Sequence, residues 1–275
     1  MSAGRLVVCP TPIGNLEDIT LRVLSALREA DVVACEDTRR TRVLLDRYGV
    51  KARLVYYHEH NERARAAELA EKMREGAVVA LVSDAGMPLV SDPGYLLVRA
   101  CVAAGLPVEV LPGPSAAITA LVASGLPADE WHFHGFLPRK KGELREVLAG
   151  DSAYASTLVA FESPRRLPAT LELLAELDPD REAAVCRELT KAHEEIVRGT
   201  AAELAARYSD GPPKGEIVLV IAPPSRPAAD SADPRALDAV RQLVDAGAHP
   251  RKAATVVASL TGTSANALYR ALTSG

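Results

Sequence analysis

Four polar stretches of this 275-residue chain have the residue types and the setting of ligand-binding loops. Each follows a short apolar run that is typical of a buried strand: residues 10–15, 35–40, 83–94 and 111–117. In the first, prolines stiffen the loop and Gly14 allows another group to approach the backbone closely. The others combine small residues and prolines with carboxylates, arginines or a serine. Open α/β folds bind ligands at the carboxyl ends of their strands, which is where these stretches would lie.

Each stretch also has a purely structural interpretation. Residues 10–15 could form an ordinary tight turn. Asp37 or Thr38 could cap a helix while the neighbouring arginines are solvated, and Asp92 and Ser115 are equally suited to capping helices. Local sequence leaves both interpretations open.

The second half and the middle of the chain add further charged groups. Glu162 follows an apolar run, where a carboxylate is often functional. Residues 187–195 are rich in charge and also fit a solvated surface. His58 and His60 lack a third metal ligand nearby in the sequence, so we predict no metal site. A substrate-contacting loop, or helix capping by Asn61, fits these residues better.

Composition excludes several classes of protein. Formal net charge is −4, so any contact with nucleic acid must come from local basic patches. The four cysteines are widely spaced, which argues against a zinc site or a disulfide framework and favours burial. Neither a G-x-G-x-x-G nor a Walker A motif occurs, so nicotinamide dinucleotides and ATP have no motif support. No apolar stretch has the length of a membrane span, and we expect a cytoplasmic protein.

Alternation of apolar runs with helical patterns predicts an α/β fold with mostly parallel sheets. The predicted strands are residues 6–9, 32–34, 53–56, 78–82, 108–111, 131–133, 157–161, 183–187 and 217–221. The predicted helices are one that begins after Thr20 and those at 38–48, 61–75, 96–104, 115–124, 142–148, 164–177 and 201–208. Prolines and small polar residues at 225–233 indicate a linker. We therefore predict α/β domains at 1–126 and 127–224 and a three-helix, helix-turn-helix-like module at 234–275, with helices that begin near Pro234, Pro250 and Ser264.

Taken together, these stretches resemble the tetrapyrrole methylase superfamily, and within it the branch that acts on ribosomal RNA. The matching strings occur in the family order: residues 11–16 with 18–20, 36–39, 58 with 60–62, 83–94, 112–116, 135–138, 162–167, 187–191 and 214–216. Corrin and porphyrin methylases carry Gly-x-Gly-Pro-Gly after the first strand, and this chain does not. That departure argues against a tetrapyrrole precursor, which is the alternative substrate.

The resemblance implies two α/β domains with S-adenosylmethionine in a cleft between them, and a homodimer. It also implies 2′-O-methylation of a cytidine ribose in the 16S ribosomal RNA of the small subunit, with neither DNA nor a membrane as a partner. The residues that we expect to hold the cofactor are Pro12, Ile13, Asp84, Ala85, Gly86, Met87, Pro88, Ser115, Ala116, Phe161 and Leu189.

A ribose hydroxyl becomes a good nucleophile only when its proton has an acceptor. The candidate catalytic residues are Glu36, Asp37, Glu162, Lys191 and Lys214, with Glu194 as a further candidate base. The candidate RNA-binding residues are Arg39, Arg40, His58, Asn61, Arg139, Lys140, Lys141, Arg165, Arg251 and Lys252. Plain solvation remains the alternative for each of these cations.

Overall fold

The protein is described from a computed structural model that covers residues 4–149, 156–224 and 234–273. Its described residues form two compact units. The first comprises the described residues within Met1–Ala123, Cys186–Ile196 and Gly215–Val218, and the second comprises those within Ser124–Val185, Val197–Lys214 and Leu219–Gly275. The domain boundaries at 126 and 224 stay a prediction, and the predicted linker at 225–233 lies outside the described residues.

The first unit contains a five-stranded sheet in the order β3-β2-β4-β1-β5. Every paired strand in it is parallel, as the continuous apolar runs predict. Its strands are β1 (Arg5–Val8), β2 (Val32–Cys35), β3 (Leu54–Tyr56), β4 (Val78–Leu81) and β5 (Val108–Val110). Its helices are α1 (Leu21–Glu29), α2 (Thr38–Arg47), α3 (Glu62–Arg74), α4 (Tyr95–Ala103) and α5 (Ala116–Ser124).

Both faces of this sheet are buried. Successive side chains of β1 point to opposite faces, and each set packs against helices on its own side. Val7 packs in one apolar cluster with Leu27 of α1. Leu6 packs in the other cluster, with Leu69 of α3 and Leu97 of α4. With helices on both faces, the sheet meets solvent at its ends and edges, so polar groups collect in the loops at those ends.

Side-chain caps start the first two helices at the predicted residues. Thr20 accepts a hydrogen bond from the backbone N–H of Val23 (3.1 Å), and Asp37 accepts one from that of Arg39 (2.8 Å). Each cap satisfies a backbone donor that the helix itself cannot. The capping interpretation of Asp37 is therefore confirmed.

The second sheet has the order β6-β7-β10-β8-β9. Its strands are β6 (Trp131–Phe136), β7 (Thr157–Glu162), β8 (Glu182–Arg187), β9 (Glu195–Thr200) and β10 (Ile217–Ile221). The helices of this part of the chain are α6 (Lys141–Ala149), α7 (Leu167–Leu177) and α8 (Ala201–Arg207).

Two predictions about this part of the chain were wrong. Strand β9 was missed because it is a half-buried edge strand that contains the charged residues Glu195 and Arg198 and shows no long apolar run. Helix α7 begins at Leu167 rather than at residue 164. The preceding residues form a turn, in which the N–H groups of Arg166 and Leu167 both donate to the carbonyl of Ser163 (2.9 and 3.0 Å).

The last part of the chain forms three helices that contact one another: α9 (Pro234–Asp245), α10 (Pro250–Thr261) and α11 (Ala265–Thr273). Their core consists of small apolar residues with Val240, Val257 and Leu268. The helix starts at Pro234 and Pro250 are confirmed. Among the residues described, no helix is both long and apolar enough to cross a membrane.

Candidate active site

Loops that follow β1 and β4 are joined into one layer at the carboxyl edge of the first sheet. Thr11 and Gly86 exchange two backbone hydrogen bonds of 2.9 and 3.0 Å. The Thr11 hydroxyl also donates to the carbonyl of Ser83 (3.0 Å). The loop after β5 packs against the same layer, because a Cβ on Gly113 would collide with the ring of Pro10. Three of the predicted ligand loops therefore hold one another in place.

A fourth segment from far along the chain completes this layer. The backbone N–H of Asn15 donates to the hydroxyl of Thr190 (3.0 Å). Gly14 has no room for a side chain, since a Cβ there would lie 2.5 Å from Cγ of Lys191 and 2.9 Å from the carbonyl oxygen of Leu189. Gly14, whose lack of a side chain suggested room for a ligand, is thus required by packing against the protein's own segment at residues 189–191.

Lys191 lies in an ion-pair network with two glutamates. Its Nζ donates to Glu188 and to Glu216, at 2.8 Å each. Partial burial acts to lower the pKa of Lys191, but the hydrogen bonds to the two carboxylates outweigh it and raise that pKa. The same hydrogen bond lowers the pKa of Glu188. These contacts favour the protonated form of Lys191 and disfavour a role as a base.

Gly215 fits between these groups because it has no side chain. Its φ is +101°, and a Cβ would lie 2.5 Å from Cγ of Glu188. Glu188 Oε1 also accepts from the backbone N–H of Glu216 (2.9 Å). This arrangement explains why the segments at 187–191 and 214–216 belong to one site.

Backbone strain is concentrated in two of these loops. In the described part of the chain, the non-glycine residues with positive φ are Leu89 (72°), Ser91 (64°), Glu188 (51°) and Thr190 (66°). Such conformations cost about 1–3 kcal/mol each and persist only where surrounding contacts impose them. Their restriction to these two loops indicates a site whose geometry matters more than its local stability.

A cavity of about 290 Å³ opens within the first unit beside these loops. Its charged lining groups are Arg40, Asp84, Lys191 and Glu216, and Arg40 pairs with Asp84 at 3.5 Å. The remaining wall is loop backbone and α2, formed by Thr11, Pro12, Ile13, Gly14, Leu16, Thr41, Val43, Leu44, Ser83 and Ala85.

Carboxylates are concentrated at the ends of β2 and β4. Asp84 accepts from the backbone N–H of Asp37 (3.1 Å). Burial and the nearby charge of Asp84 raise the pKa of Glu36. Burial and the charge of Glu36 raise the pKa of Asp92 to about 6, against the lowering effect of Ser83. We call Glu36, Asp84 and Asp92 the carboxylate cluster.

Asp92 is the residue of this cluster that sequence reasoning missed. Its alternative interpretation as a helix cap is wrong, since Gly94 occupies the cap position of α4 and provides no side-chain bond. The available signal was its position in the same strand-end loop as Asp84.

His58 and Asn61 form a closely bonded turn near the cluster. Asn61 Oδ1 accepts from the N–H of His58 (2.9 Å), and Nδ2 donates to the carbonyl of Tyr56 (3.2 Å). This fixes the amide, so Nδ2 also donates to His58 Nε2 (3.2 Å) and the ring proton lies on Nδ1. Within the described residues, that buried Nδ1 has no hydrogen-bond partner. Asn61 occupies the cap position of α3 without making a side-chain cap bond.

Other predicted cofactor residues differ in their exposure. In the loop after β4, Gly86 and Pro88 are buried, Met87 is half-buried and Ala85 is exposed. Leu189 is buried, and Ser115 and Ala116 are half-buried at the start of α5.

The second unit contains two predicted catalytic residues and one predicted cofactor residue. The Phe161 ring packs edge-on against those of Phe133 and Phe136, at 5.0 and 5.5 Å. The Glu162 side chain is fully buried, and its contacts are all internal. Lys214 is exposed.

The predicted RNA-binding cations are exposed. Arg39 lies 3.9 Å from Asp37, and Lys140 pairs with Glu143 at 2.8 Å. Arg251 stacks over Tyr269 with its guanidinium carbon 5.3 Å from the ring centre. The others with exposed side chains are Arg40, Arg139, Lys141, Arg165 and Lys252. The structure therefore brings Glu36, Asp37, Arg40 and Lys191 together in the first unit, whereas Arg139 and Arg165 belong to the second.

Comparison with known proteins identifies the family. The family of Tetrapyrrole (Corrin/Porphyrin) Methylases matches residues 5–205. A relative from Mesorhizobium japonicum named ribosomal RNA small subunit methyltransferase I is 48% identical over 97% of this chain and 90% of its own. A relative of the same name from Escherichia coli O157:H7 is 45% identical over 98% of this chain and 94% of its own.

Solved structures agree on the fold. Uroporphyrin-III-C-methyltransferase from Thermus thermophilus has a TM-score of 0.55 and 27% identity, over 79% of this chain and 94% of its own. Another structure of that enzyme is complexed with S-adenyl homocysteine and has a TM-score of 0.54 and 23% identity, over 79% and 97% of the two chains. The predicted fold class is confirmed. The chain belongs to the tetrapyrrole methylase family, in the branch of its relatives named ribosomal RNA small subunit methyltransferase I.

Proposed function

We propose that the protein transfers a methyl group from S-adenosylmethionine to a cytidine 2′-hydroxyl in the 16S RNA of the small ribosomal subunit. The observation that carries the ribosomal substrate is the 45–48% identity, over nearly the whole chain, to relatives named for that activity. A tetrapyrrole precursor is not favoured, because the loop after β1 reads Pro-Thr-Pro-Ile-Gly-Asn and lacks the Gly-x-Gly-Pro-Gly string. Cytidine and the 2′-oxygen are the finer part of the proposal and rest on the sequence resemblance.

Residues of the first unit fit S-adenosylmethionine. The cofactor carries sulfonium and ammonium cations together with a carboxylate. The cavity wall supplies a carboxylate from Asp84 and cations from Arg40 and Lys191. The loop backbones at Pro12 and Ile13 are held rigidly by the Thr11–Gly86 hydrogen bonds, so they are prepared to meet a ligand without reorganising. We propose these loops, with Ala85 and the loop that begins α5, as the cofactor site.

The bound cofactor supplies an activated methyl group, so the main task of the protein is alignment. Lys191 is held by two carboxylates and contributes a fixed positive charge. Glu36 is our proposed acceptor of the hydroxyl proton. Its pKa is raised by burial and, secondly, by the charge of Asp84, and a raised pKa improves a carboxylate as a general base. Glu162 is excluded as the base because its carboxylate is buried and fully hydrogen-bonded.

The test is to incubate the protein with tritiated S-adenosylmethionine and small subunits from cells that lack the modification. We expect label in 2′-O-methylcytidine at one site after the RNA is digested to nucleosides. Label in another nucleoside would contradict the cytidine assignment. Absence of RNA label, despite measurable cofactor binding, would overturn the ribosomal function and direct the search to tetrapyrrole precursors.

We also propose a homodimer that acts in the cytoplasm, where bacterial ribosomal subunits are made. The support for the dimer is an apolar strip on α5. Ile118 and Val122 lie one turn apart, so they share a face, and are 45% and 73% exposed. Exposed apolar strips of this kind are typical of protein interfaces.

A further inference from the structure

We propose that a basic cavity in the second unit binds a backbone phosphate of the RNA substrate, away from the reacting ribose. This inference rests on the proposed function and adds a substrate-binding site to it. The cavity has a volume of about 330 Å³. It lies at the starts of α6 and α7, and Arg139, Lys141, Arg165 and Arg166 line it.

The charge balance of the cavity favours an anion. Within the described residues, Arg139, Lys141 and Arg165 have no ion-pair partner. Two carboxylates, Glu172 and Glu176, also line the cavity. Glu176 is already paired with Arg145 at 3.1 Å. In this part of the described chain, three uncompensated cations therefore face a single unpaired carboxylate, Glu172.

Arg166 holds the loop that carries these cations. Its guanidinium donates to the carbonyls of Leu137 and Pro138, at 3.0 Å each. These residues immediately precede Arg139, so the bonds fix the backbone from which its side chain projects. A planar guanidinium presents its several donors in one fixed plane, so it holds the two carbonyls in a defined geometry.

Glu162 in turn fixes Arg166. One carboxylate oxygen pairs with the guanidinium at 2.5 Å and accepts from the N–H of Ser163 (2.6 Å). The other accepts from the hydroxyl of Thr170 (2.7 Å). Glu162 is therefore a positioning residue. The segments at 135–138 and 162–167 are linked through Arg166 and together fix the backbone that carries the cations.

Backbone orientation at this place favours the same ligand. β6 and β7 are parallel neighbours, so their carboxyl ends lie at one edge of the sheet, and α6 and α7 begin there and contact each other. The starts of both helices are electropositive. RNA phosphate is the anion of the proposed substrate, and arginines suit it because they bind two of its oxygens at once.

The experiment measures binding of the full-length protein to protein-free small-subunit RNA by filter retention, over a range of salt concentrations. The test variant is Arg139→Gln with Arg165→Gln. The control is Lys51→Gln, which removes the charge of an exposed lysine in the first unit, outside the cavity lining. All three side chains are exposed, so neither variant should disturb folding, which thermal melting checks.

We expect the double variant to bind about tenfold or more weakly. The slope of log affinity against log salt should become shallower by about 0.7 for each phosphate that the variant no longer neutralises. The control should change neither quantity, and cofactor binding should stay the same in both proteins. Equal affinity and slope in the double variant and the control would overturn the phosphate site. Methyl transfer by the unaltered protein is scored separately, so failure of the proposed function would be recognised independently of this binding result.

Discussion

Asp92 should make the stability of this protein fall as the pH rises through the range of its own titration. Burial and the charge of Glu36 raise its pKa from 3.8 to about 6. A group whose pKa is higher in the folded state binds its proton more tightly there, so folding is favoured at low pH and disfavoured once the carboxylate ionises. The Asp92→Asn variant keeps the size and polarity of the side chain but cannot ionise.

A difference of about two pKa units corresponds to roughly 3 kcal/mol, at 1.36 kcal/mol per unit. This is an upper limit, because part of the side chain remains in contact with solvent. About 2 kcal/mol of it should develop between pH 4.5 and 7.5, by integration of the difference in proton binding. We therefore expect Asp92→Asn to gain up to about 2 kcal/mol in unfolding free energy, relative to the unaltered protein, across that interval.

The assay is denaturant unfolding of both proteins at several pH values, compared as a difference so that all other titrating groups cancel. Asp46→Asn, at an exposed aspartate of α2, reports the effect of the same chemical change outside the carboxylate cluster. A second comparison in a Glu36→Gln background should show a smaller pH dependence, because the charge of Glu36 contributes to the shift. A difference that stays constant with pH would refute the electrostatic reasoning.

Three other predictions concern the proposed activity and assembly. Glu36→Gln should lower kcat on small subunits by about 100-fold or more and remove the acidic limb of the pH profile of kcat. Asp92→Asn should keep that limb. An unchanged profile in Glu36→Gln would exclude Glu36 as the base. Gly215→Ala should lose about 2 kcal/mol of unfolding free energy, because an alanine at φ +101° is strained and its Cβ displaces Glu188; unaltered stability and activity would contradict this. Val122→Asp should convert the proposed dimer to a monomer in light scattering, with exposed Arg99→Asp as the control; a variant that remains dimeric would place the interface elsewhere.

Local patterns were sufficient for most of the fold. The apolar runs at β1, β2, β4 and β10 predicted buried strands because a parallel sheet covered on both faces needs apolar side chains on both sides. Thr20 and Asp37 predicted helix starts because capping depends only on residues within one turn. Strand β9 was missed because local patterns do not identify it. A half-buried edge strand forms by hydrogen bonding to its neighbouring strand, and its own sequence shows no long apolar run.

The sequence by itself determined the family, the set of loops that carry polar groups and the order of the elements apart from β9, since these depend on residue type and short-range spacing. Only the tertiary structure decided which groups meet. Asn15 bonds to Thr190 across 175 positions of the chain, and Glu162, predicted as a base, instead anchors Arg166. Asp92 owes its raised pKa to burial and to Glu36, a residue of another loop. Hydrogen-bond partners and pKa shifts of this kind depend on distances and burial in the folded protein. They cannot be read from the residues of one segment alone.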